Sequence, residues 1–123
     1  MAINQYLIAA AGQLEAAANA LQGEIDRVRA DYMSFEQQAT RDITSKEGDM
    51  RAAVGRAATG GEAPEIAHFT VQAARLRSEI ADLKKQIAER QRQMQDDIRD
   101  KQGAISDLMG KARELQSQAA NFS

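Results

Sequence analysis

Few residues in this chain have types and spacing that could do chemistry. The first is its one histidine. His68 ends the run Glu65-Ile66-Ala67-His68, a Glu-x-x-His spacing that sets a carboxylate and an imidazole one turn apart on a helix. Di-iron bundles use that spacing twice on inward faces, together with two further glutamates. Here it occurs once, at the start of a helical segment, so a second chain would have to complete the site. One histidine cannot build a multi-histidine metal site, and no nucleophile with a nearby base assembles around it from local spacing. We therefore read His68 as a structural or exposed residue.

The remaining candidates reduce in the same way. The chain has no cysteine, which removes disulfides, thiol catalysis and thiolate ligands together. Gly60-Gly61 has neither a preceding strand nor a following Gly-Lys-Ser or Gly-Lys-Thr, so it reads as a turn rather than a phosphate loop. Arg75, Arg77, Lys84, Lys85, Arg90 and Arg92 form a mildly basic stretch, but Glu79, Asp82 and Glu89 interleave with it and no aromatic is there to stack a base. A solvated helix face explains it better. The expectation is a protein with no catalytic, cofactor-binding or metal-binding residues. It is not expected to act as an enzyme.

Composition points the same way. The net charge is −2 over 123 residues, unlike the strongly basic balance of a general nucleic-acid binder, so nucleic acid is not an expected partner. Aromatics make up 4 %, there is one proline, and alanine supplies nearly half of the 43 % hydrophobic content. Such a chain reads as long helices with a narrow seam rather than a thick core. No apolar run approaches the roughly 18–20 residues of a membrane span. The N-terminal stretch Met1-Ala2-Ile3-Asn4-Gln5-Tyr6-Leu7-Ile8 lacks the basic and sustained apolar regions of a secretory signal. A cytoplasmic protein is the expectation, with signal-less export left open.

The elements follow from spacing. In the second half, Ile66, Phe69, Ala73, Leu76, Ile80, Leu83, Ile87 and Met94 step by three and four, interrupted only by Arg90. After a four-residue step to Ile98 the stripe resumes through Ile105, Leu108, Ala112, Leu115, Ala119 and Phe122. That is the seam of a coiled coil. Arg90 and Lys101 occupy seam positions, where a charge either fixes register or carries its head to the rim. The first half supplies the complement: Leu7, Ala11, Leu14, Ala18, Leu21, Ile25, Val28, Tyr32, Phe35 and Ala39, then more weakly Ile43, Met50, Val54 and Ala57. Residues 9–20 are alanine-dense, which favours helix and lets a neighbouring backbone come close. Opposite charges one turn apart, as in Glu47/Arg51, Arg75/Glu79, Lys85/Glu89, Asp97/Lys101 and Asp107/Lys111, support the solvated faces.

Two breaks compete. The polar run at 40–49 carries a capping-box spacing at Thr44 and Glu47, but Ile43, Met50 and Val54 keep the phase and we expect the helix to run through. The stop is at Gly60-Gly61, with Pro64 suited to the first turn of the next helix. The prediction is one all-α domain over 1–123. It is a long antiparallel two-helix coiled-coil hairpin with helices over about 3–58 and 64–121 and a loop over about 59–63. Pairing about that loop makes facing residue numbers total about 123. That total sets Gly12 near Gly110 and Gly23 near Gly103, which suggests close backbone approach there.

A lone hairpin leaves Ile8, Met33, Val71 and Met109 beside its seam, so a homo-oligomer such as a four-helix bundle, or a permanent protein partner, is expected to cover them. Residues 1–23 contain one charge, Glu15, and 115–123 none, which makes the terminal end the expected contact surface. The function expected is a non-catalytic scaffold, spacer or assembly subunit. It would act through helix–helix contacts made by the seam and the terminal end. The alternative is a small helical-hairpin substrate or subunit of a specialised secretion system. The likeness there is in architecture only, since the loop has no WxG turn.

Overall fold

The computed structural model describes residues 2–122. The chain forms helix α1, Ala2–Ala58, and helix α2, Ala63–Asn121, an all-α helical hairpin with many contacts between its two helices. Both helices start one residue earlier than the spacing predicts. α1 is unbroken through 40–49. There the Thr44 hydroxyl donates to the Thr40 carbonyl at 2.9 Å instead of capping a new helix.

The turn is built by two glycines. Gly60 and Gly61 have φ of 95° and 133°, left-handed values that side chains resist. A Cβ at Gly61 would sit 2.7 Å from Glu65 Oε2. α2 then opens with the Glu62 carbonyl accepting from the Glu65 and Ile66 amides, and Pro64 occupies the first turn.

The contacts divide the chain into two compact units, residues 32–92 around the loop and a terminal unit of 1–31 with 93–123. In the terminal unit the buried residues are Ala11, Ala18, Ile25, Ile98, Ala112 and Ala119. Leu7, Leu14, Leu21, Val28, Ile105, Leu108 and Leu115 flank them, half-buried. In the loop unit Tyr32, Ala39, Ile43, Ala53, Ala73, Leu76 and Ile80 are buried, with Phe35, Leu83 and Ile87 half-buried. Alanines at seven-residue spacing, 11 with 18 and 112 with 119, are 0–3 % exposed. A methyl group can be that enclosed only where the facing helix comes close, so alanine sets the approach in the terminal unit.

Three expectations need correction. The glycines do not mediate close approach: Gly12, Gly23, Gly103 and Gly110 are exposed, and nothing lies within 4 Å of a Cβ placed on any of them. In the loop unit the register is close to the expected one. Lys46 meets Glu79, Arg90 covers Phe35 and Arg56 covers Phe69, each pair totalling 125 against the expected 123 or so. Val54 is not a seam residue; at 46 % exposed it lies outside, and Ala53 takes its place. The reason is Lys46, whose stem holds a seam position and carries the phase from Ile43 to Met50 and Ala53. Finally, Ile66 in the first turn of α2 and Phe122 just past its last residue are exposed, 36 % and 54 %, so the seam stops short of both.

Two stability outcomes follow. Ile25, the one large side chain under 2 % exposed among the described residues, should cost about 2–5 kcal/mol when cut to alanine. Gly12→Ala and Gly110→Ala should each raise stability by about 0.5–1 kcal/mol, since the added methyl meets nothing and helix propensity improves. Urea titration followed by circular dichroism measures both. A loss on Gly12→Ala would mean the glycine packs against another molecule.

Candidate interaction surface

The expected contact residues fall into three groups. Ile25, Tyr32, Leu76 and Ile80 are buried in the seam and available to nothing else. The half-buried group, Leu7, Leu14, Leu21, Val28, Phe35, Leu83, Ile87, Ile105, Leu108 and Leu115, spends most of its surface on the partner helix and shows solvent one edge. Phe122 stands apart, just beyond the end of α2, with its amide donating to the Ala119 carbonyl.

Large apolar side chains that remain exposed define the free surface. In the terminal unit these are Ile3, Tyr6, Ile8 and Phe122, with Tyr6 reaching 76 %. Ile3 and Tyr6 lie one turn apart on α1. Polar cover there is light: Glu15 accepts from Gln116 Nε2 at 2.7 Å across the two helices, and Asn4 Oδ1 is enclosed without a hydrogen-bond partner among the described residues.

In the loop unit the exposed set is Met33, Val54, Ile66 and Val71. Val54 and Ile66 line a groove of about 420 Å³ between the helices, floored by Ala57, Ala73 and Ala74 and edged by Arg77. A second groove, about 270 Å³, continues from Arg77 past Met50, Ile80 and Ala81 to Glu47 and Lys84. Met33, Thr40, Glu47 and Val54 recur every seven residues, so they share one face of α1. That face borders the grooves.

The polar contacts that cross this unit are not legible from spacing along one helix. Lys46 Nζ donates to Glu79 Oε2 at 2.9 Å. This bond, above all, holds the Glu79 carboxyl below its ordinary range. By spacing alone Lys46 belongs to a polar patch, and Glu79 pairs with Arg75 on its own helix. Arg90 spans the seam with its guanidinium 4.1 Å from the centroid of the Phe35 ring, which decides between a buried register element and a charge at the rim: the group is exposed but stacked. Lys101, the other charge at a seam position, bonds Asp97 at 2.7 Å on its own helix, and that bond raises its pKa. Burial, then the Glu36 carboxylate, pushes the Tyr32 phenol above its usual value.

His68 is exposed, edge-on to Phe69 at 5.2 Å between ring centroids. Among the described residues no group of three or more His, Asp or Glu side chains could hold a metal ion, and no helix is long and apolar enough to cross a membrane. Compared with protein-family models, curated proteins and solved structures, the chain matches none.

The Lys46–Glu79 bridge should make stability depend on pH. A carboxyl with a lowered folded pKa contributes stability that is present above its unfolded pKa, near 4.5, and lost as pH falls through the folded value. Both side chains are over a third exposed, so the effect is small and screened by salt. Thermal midpoints at pH 7 and pH 3 should differ less in Glu79→Gln than in the unaltered chain. Equal differences would remove the bridge as a contributor.

Proposed function

We propose that this protein is a non-catalytic assembly subunit that works by packing its hairpin against further helices, copies of itself in the first instance. The observation that carries this is the set of exposed large apolar side chains. Ile3, Tyr6, Ile8, Met33, Val54, Val71 and Phe122 are all at least 46 % exposed on a chain whose single seam is already complete. Scattered single apolar residues on a surface need no explanation. Here they lie on helix faces beside a groove or at one end of the hairpin, which is where additional helices would pack.

The charge distribution supports the same reading. The 18 acidic and 16 basic side chains nearly balance, which favours neither a polyanion nor an anionic surface as the partner. Few of them pair with one another among the described residues. Of the expected one-turn pairs, Asp97 with Lys101 forms; among the others Glu79 turns to Lys46 instead.

Light scattering behind a sizing column, over a dilution series, tests the reading. We expect an absolute mass near 27 kDa, twice the 13.4 kDa of one chain, or a larger assembly. Helicity and thermal midpoint should both fall as the protein is diluted, because a concentration-dependent midpoint is the signature of linked assembly. A monomer that keeps full helicity at low micromolar concentration would refute the proposal.

A further inference from the structure

Resting on that reading, the geometry points to one face of the loop unit as the place where a second copy of this chain docks. We infer that the two grooves around Arg77 form a self-complementary interface. Their apolar part, Val54 and Ile66 over a floor of alanines, is shallow and has small residues at its base, so a helix laid into it can come close. Their charges are segregated by helix: Glu47 comes from α1, Arg77 and Lys84 from α2. None of the three forms an ion pair among the described residues.

That segregation selects the occupant. A two-fold axis running parallel to the helices between two such faces sets α1 of each copy over α2 of the other. In the register fixed by Lys46 with Glu79, Glu47 of one copy then stands at the level of the other copy's Arg77. Both copies gain the same contact, acid against base, twice. A face carrying one sign of charge would repel its own copy. Val54, on the same face of α1, would be covered in the same step.

Charge reversal and mixing test the inference, again by scattering mass over a dilution series. Glu47→Lys sets an ammonium group against the other copy's Arg77 and Lys84. The double substitution Arg77→Glu, Lys84→Glu sets two glutamates against Glu47. Each variant alone should dissociate at concentrations at least tenfold higher than the unaltered chain does, with helicity by circular dichroism retained at high concentration. An equimolar mixture of the two should recover the paired mass, since both contacts are then opposite in sign. The mixture keeps the test decisive if either variant is weakened for its own reasons. If the unaltered chain pairs and neither variant changes its dissociation, the face is wrong while the assembly reading stands. If each variant dissociates but the mixture does not recover, the pairing of charges is wrong. If the unaltered chain is a monomer throughout, both the inference and the assembly reading fall.

Discussion

A hairpin of two helices has one seam, and that geometric limit governs the rest of this structure. Each helix can hide only a narrow stripe, so a residue buries well only when the opposing helix comes close. Alanine at seven-residue intervals makes that possible: Ala11, Ala18, Ala112 and Ala119 are almost wholly enclosed, while the larger Leu7, Leu14 and Leu115 keep an edge in solvent. Close approach covers the small residues and displaces the large ones to the rim. The hydrophobic contribution is thus spread over many partial burials, with Ile25 the single large side chain fully out of water among the described residues.

An alanine-rich seam repeats itself every seven residues, so it specifies register weakly: a slip of one heptad places alanine opposite alanine again. Within the loop unit, side-chain contacts break that degeneracy. Phe35 with Arg90, Lys46 with Glu79 and Arg56 with Phe69 are unlike pairs, and all three agree on one register. Two are cation–π contacts and one is an ion pair. Each is worth little as stability, yet each is lost on any slip. Their worth lies in specificity.

The same limit leaves both outer faces open. A hairpin cannot cover Met33, Val54 or Tyr6 with its own atoms, because both helices are already committed to the seam. Fold and proposed function meet at this point. The chain carries more apolar stripe than two helices can bury, and its free charges on the groove face are divided between the helices in a way that suits a second copy.

Periodicity alone determined that the chain is two long helices, that they fold back at Gly60-Gly61, and that α1 runs unbroken past Thr44. Those features depend on local propensity and on spacing along one helix, which the residues state directly. Tertiary structure decided what depends on two helices at once. Lys46 belongs to the seam because its stem can lie there while Glu79 takes its charge, and that displaced Val54 in favour of Ala53. The four paired glycines face solvent because each lies off the stripe of its own helix that buries Ala11, Ala18, Ile25 and Ala112. Phe122 fits the stripe by number but lies just past the end of α2, where it is left exposed. Spacing tells which residues share a face; only the partner helix decides which of them are covered.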